Sequence, residues 1–212
     1  MNAMLRKTVS IEGIVQGVGF RPFVFQLAQK HGLSGWVRND SRGVSIEIEG
    51  EKIRVERFLD SLPKEMPPLA SISRLESVES PLRGEKGFVI AESEEGTEKK
   101  AQITPDSWVC PDCLDELFEP DNRRYRYPFI NCTNCGPRFS IVTAIPYDRP
   151  NTTMADFPMC PDCRREYEDP SCRRFHAQPN ACPDCGPQVG LVDAKGRRIE
   201  DDEPIGVAVR LL

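Results

Sequence analysis

Eight of the nine cysteines in this 212-residue chain belong to two copies of one spacing pattern. Each copy consists of Cys-x2-Cys, eighteen residues and a second Cys-x2-Cys, and the two copies are offset by fifty residues. The eight cysteines are Cys110, Cys113, Cys132, Cys135, Cys160, Cys163, Cys182 and Cys185. Paired Cys-x2-Cys motifs at this separation are typical of a four-thiolate zinc site. The pattern therefore predicts two small modules that metal, rather than a large apolar core, holds together.

The repeat extends beyond the cysteines. A proline, two arginines, an aromatic residue and a Cys-Gly-Pro ending recur at the same offset: Pro120 and Pro170, Arg123 and Arg173, Arg124 and Arg174, Tyr125 and Phe175, and residues 135–137 and 185–187. Thirteen of the nineteen prolines also lie between residues 105 and 190. We therefore predict a duplicated zinc module, with the first copy at residues 105–150 and the second at 151–190.

Four thiolates leave no open coordination position, which favours a structural role for two zinc ions. A rubredoxin-like iron would use the same ligands and remains an alternative. Each Cys-x2-Cys is expected to pair with the next one in its own module, although ligation between modules stays open at this point. Cys172 aligns with Asn122 of the first copy and is interpreted as a spare thiol. His176 aligns with Arg126 and is expected to be a surface or packing residue.

The cellular compartment follows from the same cysteines. The chain contains no run of about eighteen apolar residues that would suggest a membrane helix, and its first residues lack the apolar core of a signal peptide. Cysteines at metal spacing without an export signal favour the reducing cytoplasm over a disulfide framework. We predict a cytoplasmic protein without a membrane partner.

Residues 1–92 have a different pattern, with the element order β-α-β-β-α-β typical of a ferredoxin-like α+β sandwich. Apolar alternation predicts strands at residues 5–12, 35–39, 44–49, 70–79 and 86–92. Helical spacing predicts one helix from Phe20 to His31 and a second through Val55 and Leu62, which Pro63 is expected to end.

A glycine-bearing loop joins the first strand to the first helix. Its sequence is Gln16-Gly17-Val18-Gly19-Phe20-Arg21. Backbone N–H groups of such a loop, together with a helix N-terminus, favour binding of a phosphate, and the planar fork of Arg21 suits two phosphate oxygens. Asn39, at the end of the second strand, is expected beside the first strand, where its amide could hold a water. Alternatively, the glycines only form a tight turn and Asn39 only begins the next one.

Residues 13–21, together with Gly35-Trp36-Val37-Arg38-Asn39, resemble the signature of the acylphosphatase family. This resemblance implies that residues Gln16 to Phe20 bind the phosphate, that Arg21 holds it and that Asn39 positions the attacking water. An acylphosphatase domain followed by two such zinc modules resembles the N-terminal part of the carbamoyltransferases of NiFe-hydrogenase maturation. That family implies carbamoyl phosphate as substrate, ATP for the full-length protein, and a maturation partner that accepts the carbamoyl precursor of a cyanide ligand on a C-terminal cysteine.

Two segments lie outside the predicted modules. Residues 93–104 carry charges without apolar periodicity and are interpreted as a linker. Residues 191–212 predict a short hairpin and an apolar amphipathic segment, which we interpret as the start of a following domain. On this interpretation the chain is a fragment that lacks the ATP-dependent and transfer domains.

Two other functions fit parts of the sequence. Arg123-Arg124-Tyr125 and Arg173-Arg174-Phe175 combine basic and aromatic residues as a zinc-ribbon nucleic-acid binder would. However, residues 105–190 hold nine Arg and Lys against thirteen Asp and Glu, a net charge of −4 that disfavours phosphate backbones. We expect these arginines to pair with Glu116, Glu119, Glu166 and Asp169, and we expect no nucleic-acid partner. The second alternative is a stand-alone acylphosphatase with protein-docking zinc modules.

Overall fold

The computed structural model describes residues 3–94, 101–200 and 204–211. Its first part is a five-stranded sheet in the order β4-β1-β3-β2-β5, where β5 runs parallel to β2 and the other neighbours are antiparallel. The elements are β1 (Met4–Ile14), α1 (Phe20–His31), β2 (Ser34–Asn39), β3 (Gly43–Glu51), α2 (Lys52–Glu65), β4 (Ser71–Glu79) and β5 (Phe88–Ile90). The predicted ferredoxin-like order is confirmed.

The core of this part forms between the sheet and the two helices. Alternate residues of β1 and β3, such as Val9 and Ile46, point to the side where Val24 of α1 and Phe58 of α2 are fully buried. Period-two strands and 3.6-residue helices present these apolar side chains to one shared layer. Eighteen buried apolar residues form this cluster, which is enough to stabilise a domain of this size without metal.

The expectation that Pro63 ends the second helix is wrong. Pro63 lies inside α2, which continues to Glu65. Proline costs one backbone hydrogen bond and crowds the preceding turn, but Phe58 and Leu62 still bury their side chains fully. The helix ends before Pro67 because the residue preceding a proline disfavours helical angles, and Met66 has φ −60° and ψ 153°.

The second part is built on the repeat. A short helix begins directly after the first cysteine of each copy, with proline at its first position: α3 (Pro111–Phe118) and α4 (Pro161–Glu168). Proline is favoured there because the first helical N–H groups need no partner within the helix. Arg126 and His176 occupy equivalent positions and both have left-handed backbone angles, with φ 56° and 54°. The duplicated sequence therefore folds twice into the same local structure.

The remaining described segments are small. Leu191–Val192 (β6) and Arg198–Ile199 (β7) form the predicted hairpin, and α5 spans Pro204–Leu211. Residues 95–100 of the predicted linker, and residues 201–203 and 212 of the predicted C-terminal segment, lie outside the described residues. On either side of the gap at residues 95–100, Glu94 N–H donates to the Asn39 carbonyl (3.0 Å) and Ala101 N–H to the Ser41 carbonyl (2.8 Å). Both described ends of the linker are therefore hydrogen-bonded to the first domain. None of the helices described is long and apolar enough to cross a membrane.

Candidate active site and metal centres

The loop between β1 and α1 has the geometry of an anion site. Gly17 and Gly19 have left-handed backbone angles, with φ 74° and 76°, which only glycine adopts without strain. Within the described part of the chain, no group accepts a hydrogen bond from the backbone N–H groups of residues 17–21. These N–H groups stand at the N-terminus of α1, where the helix dipole adds positive potential. The loop can therefore accept a phosphate.

The other loop side chains do not face a ligand. Val18 and Phe20 are buried in the apolar core. The Gln16 amide donates to the carbonyls of Asp40 and Gly43, both at 2.7 Å, and its Oε1 accepts from Tyr147 N–H at 2.8 Å. Residues 16–20 can thus contribute backbone groups to a phosphate site, while the Gln16 side chain braces the surrounding loops.

Arg21 is nearly buried and its guanidinium contacts the second part of the chain. Its Nη2 lies 2.7 Å from Asp148 Oδ1 and 3.3 Å from the Tyr147 carbonyl, while Nη1 lies 3.3 Å from Ser93 Oγ. Asp148 is the carboxylate that pairs with Arg21 among the described residues. Because guanidinium has five N–H groups, Arg21 keeps donors for a further anion. Arg21 is therefore placed to bind a phosphate that enters the loop.

The sequence predicted Asn39 beside the first strand, and this prediction is wrong. β3 separates β2 from β1, and Asn39 pairs with Val44, which itself pairs with Ile11 of β1. The antiparallel ladder nevertheless brings Asn39 to the same end of the sheet as the loop. Its Nδ2 donates to the Tyr147 carbonyl at 3.3 Å. Oδ1 is buried without a hydrogen-bond partner among the described residues, an arrangement that costs free energy unless a water or ligand fills it.

The first zinc module covers this loop closely. A Cβ atom on Gly17 would stand 2.7 Å from Pro137, and one on Gly19 would stand 3.1 Å from Thr133. The two glycines are therefore needed for backbone angle and for packing at once. A cavity of about 20 Å³ remains between the loop, Arg21, Asn39 and this cover. Such a volume holds about one water, so an acyl phosphate must displace part of the cover to bind.

Three residues near Arg21 were not expected from the sequence: Asn131 and His176 line this cavity, and Asp148 lines an adjacent cavity of about 410 Å³ that also contains Arg21 and His176. Asn131 is 3% exposed, and its Oδ1 has no partner in the described structure. Asp148 and His176 stand next to Arg21. Burial, with a smaller contribution from the Arg21 charge, lowers the pKa of His176 to about 4, so its imidazole is neutral at neutral pH. No local motif marks these positions, because their role depends on which residues the fold brings to Arg21.

The eight predicted cysteines form two separate clusters. Cys110, Cys113, Cys132 and Cys135 make one, and Cys160, Cys163, Cys182 and Cys185 the other, with all Sγ atoms of a cluster within 4.8 Å of one another. The five Sγ···Sγ distances at hydrogen-bonding range are 3.5, 3.9, 3.8, 3.8 and 3.6 Å. A tetrahedral zinc with Zn–S of about 2.3 Å requires about 3.8 Å between sulfurs. Each cluster fits one such ion, and each draws its ligands from its own module.

Each pair of arginines crosses to the opposite module. Arg124 forms a two-point ion pair with Glu166 of α4, with N–O distances of 3.0 and 2.5 Å, and donates to Cys163 Sγ at 3.4 Å. Arg174 in turn pairs with Glu116 of α3 and lies 3.9 Å from Cys113 Sγ. Arg123 and Arg173 approach the same two sulfurs.

The contacts that the arginines make with backbone carbonyls of the opposite module are also symmetric. Arg124 Nε donates to the Ala181 carbonyl at 2.8 Å, and Arg174 Nε donates to the Asn131 carbonyl at 3.1 Å. These positions are related by the fifty-residue repeat. Positive charge therefore reaches each four-thiolate cluster from the other copy, which offsets the negative charge that four thiolates leave around a divalent ion.

The expected acidic partners are correct in part. Glu116 and Glu166 pair with the arginines across the modules, whereas Asp169 accepts hydrogen bonds from Ser171. Although burial opposes it, the Arg124 contact lowers the pKa of Glu166. The half-buried Cys172 lies outside both clusters, and its Sγ accepts from Arg174 N–H at 3.4 Å.

The local environment shifts the pKa values of several thiols in both clusters. Hydrogen bonding to Cys132 and Cys135, together with burial, raises the pKa of Cys113. Burial raises the pKa of Cys163. Hydrogen bonds to neighbouring groups lower the pKa of Cys135 and, against the effect of burial, that of Cys160. Metal binding releases the protons that the other thiols hold.

Comparison with known proteins assigns both parts. Residues 7–90 match the acylphosphatase family model, and residues 109–142 and 159–192 match the model described as HypF finger. The chain is 51% identical over 210 residues to carbamoyltransferase HypF2 of Cupriavidus necator, which covers 98% of this chain and 26% of that protein. It is also 39% identical over 83 residues to an acylphosphatase of Thermotoga petrophila, covering 39% of this chain and 91% of that one.

A solved structure supports the assignment. Full-length HypF in its phosphate- and nucleotide-bound form superposes with a TM-score of 0.89 at 49% identity, covering 99% of this chain and 27% of that one. The chain thus spans about a quarter of the length of the carbamoyltransferases that it matches. Two family models in this order, together with HypF relatives that cover 98% and 99% of this chain, confirm the resemblance found in the sequence: this chain belongs to the HypF carbamoyltransferase family, matching the N-terminal region with its acylphosphatase and zinc-finger modules.

Proposed function

We propose that this chain hydrolyses carbamoyl phosphate at the Arg21 cavity, as the first step of a carbamoyltransferase reaction. The observation that carries the proposal is the set of backbone N–H groups of residues 17–21, which have no acceptor among the described residues, beside the buried Arg21. A related HypF structure contains phosphate and nucleotide, which is consistent with an oxyanion as ligand. Carbamoyl phosphate is a mixed anhydride with a good leaving group, so positioning and charge stabilisation can supply most of the rate.

In this mechanism the loop N–H groups and Arg21 bind the phosphoryl oxygens. Asn39 Oδ1, which lacks a partner in the described structure, accepts a hydrogen bond from a water and directs its oxygen at phosphorus. The bond between phosphorus and the carbamoyl oxygen breaks, which yields inorganic phosphate and carbamate. The charge on the phosphoryl oxygens stays paired with donors throughout, because these donors are fixed by the loop and by α1.

Arg21→Ala tests the proposal directly. Loss of one charged donor from such a site typically lowers kcat by about 100- to 1000-fold, and phosphate release from carbamoyl phosphate measures it. Arg57→Ala, on the exposed side of α2, is the matched control and should leave turnover unchanged. Undiminished hydrolysis by the Arg21 variant would contradict the assignment.

Asn39→Ala separates binding from water positioning. We expect kcat to fall while the affinity for inorganic phosphate changes little, since the amide acts on the water rather than on the phosphoryl group. A rise in KM alone, with kcat preserved, would assign Asn39 to substrate binding instead.

The wider reaction is proposed from the family. The relatives' longer chains are expected to use ATP to convert carbamate into an activated carbamoyl group and pass it to the C-terminal cysteine of a maturation partner, as a precursor of the cyanide ligands of NiFe-hydrogenase. We place this reaction in the cytoplasm, where thiols remain reduced. Neither a nucleic acid nor a membrane takes part in it.

The two cysteine clusters are proposed to hold two structural zinc ions. Four protein thiolates in each leave no position for water or substrate, so the metals support the cover over the Arg21 cavity without taking part in the chemistry. Metal analysis should give two zinc ions per chain and a colourless protein. A red protein with one or two irons would replace zinc with the rubredoxin-like alternative.

A further inference from the structure

We infer that Asp148, with the neighbouring Tyr147 carbonyl, determines which acyl phosphate the Arg21 cavity accepts, by pairing with the NH2 group of a carbamoyl substrate. This inference rests on the proposed function and deepens it. Carbamoyl phosphate and acetyl phosphate share their phosphate and have acyl groups of nearly equal size. They differ because NH2 donates hydrogen bonds and CH3 does not. A site that distinguishes them must therefore offer hydrogen-bond acceptors close to the phosphate donors.

The covering segment, residues 146–148, supplies such acceptors. Asp148 Oδ1 lies 2.7 Å from Arg21 Nη2, and the Tyr147 carbonyl lies 3.3 Å from both Arg21 Nη2 and Asn39 Nδ2. The segment is held from two sides, since Tyr147 N–H donates to Gln16 Oε1 at 2.8 Å and the Pro146 carbonyl accepts from Asn151 Nδ2 at 2.8 Å. Both acceptors thus stand next to the groups proposed to bind phosphate.

Substrate binding would free these acceptors. The contacts of 3.3 Å are long for hydrogen bonds, and a phosphate oxygen competes well for the same donors because charged acceptors bind more strongly. Once Arg21 shares its donors with a phosphate, the Tyr147 carbonyl and the partly buried Asp148 carboxylate lose part of their pairing. An NH2 group restores that pairing, whereas a methyl group leaves the acceptors unsatisfied.

The covering segment, residues 146–148, lies outside the acylphosphatase domain that contains the proposed phosphate site. The Thermotoga petrophila acylphosphatase matches this chain over 83 residues that make up 91% of its own length, so almost none of it remains to match residues 105–190. A protein of that name therefore handles its substrate without a counterpart of Asp148. We assign the covering segment to the selection of the acyl group, and the loop with Arg21 and Asn39 to the phosphoryl group.

The experiment compares carbamoyl phosphate with acetyl phosphate in the 212-residue chain and two variants. Asp148→Ala removes both the charge and the acceptor, whereas Asp148→Asn removes the charge and keeps an acceptor oxygen. We expect Asp148→Ala to lower the ratio of kcat/KM for carbamoyl over acetyl phosphate by about 10- to 100-fold, the range of one hydrogen bond to a charged group. Asp148→Asn should retain most of the wild-type ratio.

Three outcomes would overturn the inference. A ratio that is unchanged in Asp148→Ala would exclude acceptor pairing. An equal gain for both substrates in both variants would make Asp148 a carboxylate that only competes with phosphate for Arg21. An equal loss for both substrates, with two zinc ions still bound, would give Asp148 a general role in the architecture of the site. The proposed function fails separately, if the wild-type chain or its Arg21→Ala variant behaves contrary to the hydrolysis assay above.

Discussion

Residues 7–90 and residues 105–190 are comparable in length and are stabilised by different means. The first region has eighteen buried apolar residues in one cluster. The main cluster of the second has seven buried residues, and three of them are cysteines that belong to the proposed metal sites. Buried apolar area stabilises the first region on folding, while the second depends on metal and on ion pairs across its two copies. A duplicated module this small cannot bury enough surface by itself.

Metal removal should separate the two regions most strongly. A chelator with a reducing agent is expected to unfold residues 105–190, because structural zinc contributes about 10–16 kcal/mol of folding free energy in small zinc modules. Residues 7–90 should remain folded. Amide hydrogen exchange measures both regions in one sample, and simultaneous loss of protection in both would contradict the comparison. The same experiment tests the domain boundaries near residues 92 and 104, which stay predictions.

A core substitution should act on the first region only. Phe58→Ala removes a fully buried ring from the core and is expected to lower the free energy of unfolding of that region by about 3–5 kcal/mol. The zinc content should stay at two ions per chain. Ile53→Ala, on the same helix with a 49% exposed side chain, is the control with an expected change below about 0.5 kcal/mol. Zinc loss from the Phe58 variant would show that the regions depend on each other.

Because the arginines contact the opposite module, we predict that substituting them in one module weakens metal binding in the other. Arg174→Ala is expected to weaken metal binding by the Cys110 cluster, and Arg124→Ala by the Cys160 cluster, each by about 10- to 100-fold as for other residues that support metal ligands. Cadmium NMR of the substituted protein resolves the two sites. Arg164→Ala, exposed on α4, is the control. If each arginine variant instead weakens metal binding by the cluster of its own module, the contacts between modules do not contribute to metal affinity.

The smallest effect concerns His176. Its pKa is lowered to about 4, mainly by burial, so its ring resonances should not titrate between pH 8 and 5, whereas an exposed histidine titrates near 6.5. The unfolded chain takes up this proton at higher pH than the folded chain does. The contribution of His176 to stability is therefore full above about pH 6.5 and declines as the pH falls towards 4. NMR is well suited because the chain has only two histidines, and His176→Gln assigns the signal. A midpoint near 6.5 would mean that the ring is open to solvent.

Local sequence patterns were sufficient for much of the fold. The strands and helices of the first region follow from period-two and 3.6-residue spacing, and the short module helices repeat because their sequences do. The placement of Asn39 next to β1 was wrong, because spacing along the chain does not specify which strands are neighbours in the sheet. Pro63 was misjudged for a related reason, since burial of Phe58 and Leu62 outweighs one lost hydrogen bond.

The sequence by itself determined the eight clustered cysteines and the glycine loop, because a four-thiolate cluster and a glycine loop of this kind need particular residues at fixed short spacings. Only the tertiary structure decided that each arginine pair serves the opposite module and that residues 146–148 cover Arg21. Those contacts join residues as far apart as Arg21 and Tyr147, which are separated by 126 positions. No periodicity relates such residues, and their meeting depends on how the zinc modules pack onto the loop of the first domain.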